Sequence, residues 1–581
     1  MEKRSLKSEE KRMASDDTND ALTRSSTWRI PMKFTRCMYG FVGLVVCLVS
    51  AAFAGPAIEK RLTGTSSVLV VGMGDSLTHG TMDATNNWIN TRNAYLQQIA
   101  DALAVVLPIR FSQPYYGFRE QRLRPFVVPT NIGIDGSDIF SLEGIEYYKR
   151  VGAPESYVTD AYLCNSATPL AFQDDYDKVM YPLNRIAKHS VSQIDAGLTL
   201  LKLQAEENPG APALVLLWIG NNDTSLAALG TGGSNPSFLP LPMDAISKEI
   251  TPALLEVLEQ GKSSGQLSFE PYSRQAIERN MTDIADFDSQ FNHILARLHQ
   301  ENPMPVGTVS FCVLTLPYYS AVGYLFDSED IEWYLKQIDP SYQVPSTFKR
   351  VAEPGQPITH PFNGDRISLF TFASMYALMS SGYSAEQVNE ILEKDGVQQD
   401  GLVLSEEEQQ VIMSRIDAYN QIIRTASSAY EDVVLIDIGS YLNSVLGGKT
   451  SVTISGKTLS RKWSRGSAFS LDGVHPGYAA QALIANHILS AINERFQLDA
   501  PLIDVEQVFA SDPYVDRDGD GWVPGPGYPA HGLTKLLFLF TDPNDQDFSI
   551  KAHLPPNFWR ELSRILLKEL LGIPGLQARM R

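Results

Sequence analysis

The stretch SSVLVVGMGDSLTHG, residues 66–80, decides the fold. Its apolar run from Val68 to Val71, rich in β-branched residues, reads as a strand buried on both faces. The run stops at Gly74-Asp75-Ser76, so a serine is presented at the strand's carboxyl end. Three further runs of this kind follow: ALVLLWIG (213–220), GTVSFCVLTLP (307–317) and VVLIDIG (433–439). Around them lie stretches whose apolar residues recur three and four apart, at 93–107, 191–207, 284–300, 406–430 and 479–496. Short strands alternating with one-sided helices predict an α/β fold: three layers, α/β/α, around a central parallel sheet. Ligands gather at the carboxyl ends of such strands, where GMGDS and WIGNND both stand.

A chain of 581 residues exceeds one ordinary core, which predicts one large domain with elaborations. The expected division is residues 1–54 as an N-terminal extension and signal, 55–500 as the main domain, and 501–581 as a C-terminal appendage. Insertions are expected near 225–280 and 318–400, as a substrate wall or as elaborations with their own small core. Hydrophobic content of 44% and charged content of 20% are those of a globular protein. The net charge of −19 argues against sequence-independent nucleic-acid binding, which needs a basic face. It suits an exported protein, or one that binds cations.

Export is also what the N-terminus suggests. From Met32, MKFTRCMYGFVGLVVCLVSAAFAGP carries Lys33 and Arg36, then an apolar segment, then Ala52-Phe53-Ala54. This is the order of a secretory signal with cleavage after Ala54. Uncleaved, Cys37 to Ile58 is long enough to anchor the chain in a bilayer. Translation beginning at Met32 or Met13 would remove the polar segment ahead of the signal. Two cysteines remain outside it, Cys164 and Cys312; export permits a bridge, and a buried free thiol is the competing expectation.

A serine hydroxyl needs a base to take its proton, and the base needs a group to orient it. AFSLDGVHPGYAAQALIANHIL, residues 468–489, places Asp472 three positions before His475, with Pro476 suited to open the helix that follows. In a tight turn the carboxylate reaches Nδ1 and leaves Nε2 facing Ser76. Three oxyanion donors are expected: the backbone N–H of Ser76, that of Gly136 in NIGIDG, where the missing side chain permits close approach, and the side-chain amide of Asn222 in GNND. Each residue alone has a structural reading. Ser76 could cap a helix, Asn222 could shape a turn, and Asp472 with His475 could be a surface pair. His79 has no acidic neighbour in sequence and is expected to serve its loop, while His293, His299 and His487 are expected to pack or face solvent.

Together, the four blocks GDSLTHG, NIGIDG, GNND and DGVH resemble, in order, those of the GDSL or SGNH hydrolase family. The resemblance implies a flavodoxin-like sandwich, Ser76 as nucleophile, Asp472 and His475 as its partners, and Gly136 and Asn222 as oxyanion donors. Asp223 is expected to shape its loop by accepting N–H bonds. The implied activity is hydrolysis of carboxylic esters, lipid or short-acyl, with no cofactor required. A carbohydrate acetylesterase is the alternative, as is a calcium-dependent surface-binding protein on a hydrolase scaffold. Calcium enters through DPYVDRDGDGWVPGPGYP (512–529), where Asp516, Asp518 and Asp520 alternate before Gly521. The position of the EF-hand glutamate is Gly527, so the alternatives are a structural calcium site helped by Asp542, Asp545 and Asp547, or a solvated acidic turn. The final amphipathic stretch, 558–573, is expected to pack on the main domain; its mixed charges disfavour membrane-surface contact.

Overall fold

The computed structural model describes residues 67–528, apart from 119, 152–153, 155–156, 230–276, 279, 381, 391, 394–402 and 527. The signal-like segment, most of the first expected insertion, Asp542, Asp545 and Asp547, and the final amphipathic stretch lie outside the described residues.

The centre is a five-stranded, all-parallel sheet. Its strands are β1 (Val68–Gly74), β2 (Ile109–Arg110), β3 (Ala213–Trp218), β4 (Val309–Leu314) and β5 (Val433–Ile436). Their order is β2-β1-β3-β4-β5. Every residue of β1, β3 and β4 is buried, which is why their sequences are apolar almost throughout, Ser310 apart, and do not alternate. At ~1.5–3 kcal/mol for each large aliphatic side chain removed from water, these strands are a main source of stability.

Two groups of helices flank the sheet, an arrangement compatible with an α/β/α sandwich. The first group is α2 (Tyr95–Val106) with α7 (Tyr478–Phe496); the second is α3 (Gln193–Glu207), α5 (Ile284–Gln300) and α6 (Glu406–Ser427). Each falls where the three-and-four spacing placed it. Capping boxes start α3 at Ser192/Asp195 and α6 at Ser405/Glu408. The cap of α7 is Gly477, which has no side chain to offer. Its place is taken by Asp512, whose carboxylate accepts the Ala479 N–H at 2.8 Å. Pro476 therefore precedes the cap and is not part of the first helical turn.

The two-residue strand β2 was too short to show in the sequence pattern. Beyond it, residues 130–134 run alongside β1, with Gly72 N donating to Thr130 O and Ile134 N to Gly74 O, both at 3.0 Å. NIGIDG is thereby laid beside GMGDS. The sheet order reverses between β1 and β3, so the crevice outside their carboxyl ends is where this topology opens a binding site.

The region of the second expected insertion does two things. Tyr318, Tyr319, Ala321, Val322 and Tyr324 line that crevice. Further on, Leu325–Phe326, Arg366–Ser368 and Val403–Leu404 form a small antiparallel sheet. Phe326 stacks on Phe372 with ring centroids 4.3 Å apart, and Tyr334, Trp463 and Trp522 join the same aromatic cluster. Tyr514, Trp522 and Val523 belong to the main hydrophobic core, so residues 512–526 run back into the domain. Cys164 and Cys312 are buried free thiols.

Candidate active site

At the end of β1, Gly74 adopts φ +147°, and a Cβ there would lie 2.1 Å from the carbonyl oxygen of Trp218. Only glycine lets β1 and β3 approach this closely as the chain turns out of the sheet. Asp75 then caps the short helix α1 (Ser76–His79), its carboxylate accepting the Leu77 N–H at 3.0 Å. Ser76 is thus not the cap, and its hydroxyl is bonded to no described residue. The second Asp75 oxygen accepts the Asn221 side-chain amide at 2.9 Å, tying the first block to the third. Burial pushes the Asp75 carboxyl up to about 6, although the bonds from Asn221 and Leu77 N–H favour its charged form.

Asp472 and His475 lie on a tight hairpin in which Ser470 N donates to His475 O at 2.8 Å and Gly477 N to Ala468 O at 2.9 Å. Gly473 turns it with φ +69°, where a Cβ would meet Tyr324 N at 2.6 Å. His475 Nδ1 lies 2.6 Å from Asp472 Oδ2. The other oxygen, Oδ1, accepts from Val474 N (2.8 Å), His475 N (2.9 Å) and Ser470 Oγ (3.0 Å). Burial disfavours charge on Asp472, but His475 and these donors outweigh it and hold the carboxyl below its ordinary value. Burial likewise opposes protonation of His475, yet Asp472, then Asp135 and Asp75, raise the imidazole above its ordinary value.

Ser76, Gly136, Asn222, Asp472 and His475 all line one cavity of about 420 Å³. Four segments spread over some four hundred positions meet there. No hydrogen bond yet joins Ser76 to His475 among the described residues; such contacts are often loose without substrate. The backbone N–H groups of Ser76 and Gly136 likewise have no partner among the described residues. Asn222 opens helix α4 (Asn222–Leu229), and its amide donates to Ser137 O at 2.9 Å, which orients it and leaves its second N–H free of that bond. Gly136 has φ +74° and nothing within 4 Å of a built Cβ. Its left-handed conformation by itself favours glycine at this position.

Asp223 is buried and accepts Ile139 N at 3.0 Å and Thr282 Oγ1 at 2.6 Å, holding the loop that follows Gly136. Gln193 accepts Gly74 N at 3.1 Å and donates to Ser137 Oγ at 2.8 Å, bracing both the turn before Ser76 and the residue whose carbonyl orients Asn222.

His79 does have an acidic partner, one hidden from local sequence: its Nδ1 is 2.9 Å from Asp135 Oδ1. Asp135 also accepts from Thr81 Oγ1 at 2.6 Å and Asn86 Nδ2 at 2.8 Å, and its side chain remains 28% exposed at the cavity. Burial opposes its charge, but His79 and Thr81 outweigh that and hold it down to about 2. Asp75, Asp135, Asn221 and Gln193 were missed in the sequence. The first three stood inside the recognised blocks, beside the residues that were chosen.

The other histidines pack or face solvent. His487 stacks on Tyr441, His299 stacks on Tyr430 with Nε2 2.9 Å from Asp432, and His293 is largely exposed. Asp516, Asp518 and Asp520 bring carboxylate oxygens within 4.8 Å of one another. The oxygens of Asp516 accept Gly519 N (2.7 Å) and Gly521 N (3.1 Å), and Lys457 Nζ lies 3.9 Å away. Those bonds shape the turn itself.

No protein-family model matches the chain, and no curated protein matches it in sequence.

Proposed function

We propose that this chain is a serine ester hydrolase of the SGNH type, exported, cleaving carboxylic esters through an acyl-enzyme. The observation that carries the reading is the shared cavity. It gathers a serine hydroxyl and backbone N–H groups that have no partner among the described residues, and an imidazole already paired through Nδ1 to a buried carboxylate.

In this mechanism His475 Nε2 takes the Ser76 proton as Oγ adds to the ester carbonyl carbon. The oxyanion accepts from Ser76 N–H, Gly136 N–H and the Asn222 amide, donors already in place before charge develops. Collapse expels the alkoxide, which leaves with the proton held on His475. Water, deprotonated by the same imidazole, then attacks the acyl-serine and frees the acid. Asp472 keeps Nδ1 protonated and stabilises the imidazolium formed in each half-reaction.

The walls support one substrate class. Tyr318, Tyr319, Val322, Leu442, Leu446 and Phe469 supply apolar surface, and no lysine or arginine lines the cavity among the described residues. An uncharged ester with an acyl chain longer than acetyl suits this lining. Hydrolysis of a chain-length series by wild type and Ser76→Ala tests it. Activity should rise beyond the acetyl ester and vanish in the variant; equal turnover by Ser76→Ala would sink the nucleophile. Activity confined to acetyl esters would favour the acetylesterase alternative.

A further inference from the structure

Just after the nucleophile helix, residues 82–85 form a turn closed on itself by Met82 N to Thr85 O (3.3 Å) and Thr85 N to Met82 O (3.1 Å). Its two central residues, Asp83 (φ +57°) and Ala84 (φ +49°), are left-handed without being glycine. Such backbone persists only where its surroundings impose it, and it clusters at functional sites. Here both N–H groups are aimed at the loop of the catalytic acid. Asp83 N donates to Ser470 Oγ at 3.0 Å, and Ala84 N to Asp472 Oδ2 at 2.7 Å. That oxygen is the one that takes His475 Nδ1.

The Asp83 side chain continues the clamp. Its Oδ1 accepts Leu471 N at 2.8 Å, and its Oδ2 accepts the hydroxyls of both Tyr514 and Tyr528. All three side chains are buried. The two tyrosines come from beyond helix Val505–Ser511, more than 400 positions after Asp83, and the same segment supplies Asp512 to the start of α7. A buried carboxylate is costly without donors, and a second carboxylate close by makes it costlier. Burial, then the charge of Asp472, push Asp83 up to about 7 against the tyrosine bonds. The titratable groups facing it are Asp472, Tyr514, Tyr528 and Tyr478.

We propose that Asp83 is a positioning residue for the Asp472–His475 pair, and that Tyr514 and Tyr528 support that pair through Asp83. The proposal rests on the serine-hydrolase reading. Without the two hydroxyls Asp83 loses both donors on Oδ2, the turn relaxes, and Ala84 N–H leaves the oxygen that orients His475.

The test uses the full chain as wild type, Asp83→Asn, the double variant Tyr514→Phe/Tyr528→Phe and, should the double variant fail to fold, Tyr528→Phe alone. Thermal melting confirms folding. Turnover of an ester preferred by wild type is then followed against pH, with Ser76→Ala in parallel. The double variant should lose about 10²-fold in kcat with KM within about twofold, and Asp83→Asn should fall in the same direction. In the double variant the acid limb of kcat/KM should move to lower pH, because a weakened Asp472 bond no longer raises His475 as far. A lowered melting temperature with unchanged kcat and pH profile would overturn the proposal while leaving Ser76 chemistry intact. If turnover does not depend on Ser76, the hydrolase reading fails separately. The far-downfield proton signal of the His475 Nδ1–H then decides: its loss in the double variant supports positioning, and its retention overturns it.

Discussion

Replacing Asp472 by asparagine changes neither size nor shape, yet its hydrogen bonds predict a double penalty. The carboxylate accepts from five donors: Ser470 Oγ, Val474 N and His475 N on Oδ1, and Ala84 N and His475 Nδ1 on Oδ2. An amide has one acceptor oxygen. With that oxygen in the Oδ1 position, the NH₂ confronts Ala84 N–H and His475; reversed, it confronts the N–H groups of Val474 and His475. The first orientation strands Ala84 N–H, and the second strands both backbone donors. At ~1–3 kcal/mol for each buried group left unsatisfied, the loss is ~1–6 kcal/mol, a sizeable share of the ~5–15 kcal/mol that holds a typical domain together. In the first orientation Nδ1 must also accept from the amide, which places the imidazole proton on Nε2 and removes the base, at ~10⁴-fold in kcat. Urea denaturation and steady-state ester hydrolysis read the two effects independently. A folded Asp472→Asn protein with kcat within about tenfold of wild type would refute the assignment of Asp472 as orienter.

The same pair separates the pH dependence of stability from that of activity. Asp472 is held below its ordinary 3.8, so its contribution to stability is present above that value and is lost as pH falls through the folded pKa. His475 is held above 6.5, so its contribution is complete below 6.5 and is lost as pH rises through the folded pKa; catalysis by neutral imidazole should gain over that same rise. Melting temperature and kcat/KM across pH should therefore peak at different values, and coincident optima would contradict this. Asn222→Ala should lower kcat by ~10²–10³ with KM nearly unchanged, as loss of one oxyanion donor does; an effect on KM alone would make Asn222 a binding residue. Asp135→Asn should shift the acid limb of kcat/KM downward, because Asp135 is one of the charges that raise His475; an unmoved limb would show that its charge is not felt there. Gly74→Ala should fail to accumulate as folded protein, since its Cβ would strike the Trp218 carbonyl oxygen, and a soluble variant with wild-type melting would show that the turn can give.

Much of the scaffold was legible along the chain. Buried parallel strands leave continuous apolar runs and flanking helices leave a three-and-four rhythm, and both are written within ten to twenty residues. For the same reason the pairing of His475 with Asp472, three positions apart, could be anticipated. Strand β2, two residues long, left no pattern, nor did the pairing of residues 130–134 with β1, which depends on where the chain returns.

Tertiary structure alone decided which polar groups meet. The partner of His79 is Asp135, the donors to Asp83 Oδ2 are Tyr514 and Tyr528, and the carboxylate bonded to the start of α7 is that of Asp512, each supplied from a distant segment. It decided, too, that Asp75 and not Ser76 caps α1, which leaves the serine hydroxyl at the cavity with no bond to any described residue. Backbone periodicity is a local property that short windows of sequence record. The partner of a buried charge is chosen by what folding brings within three ångströms once water is gone, and no local pattern encodes that distance.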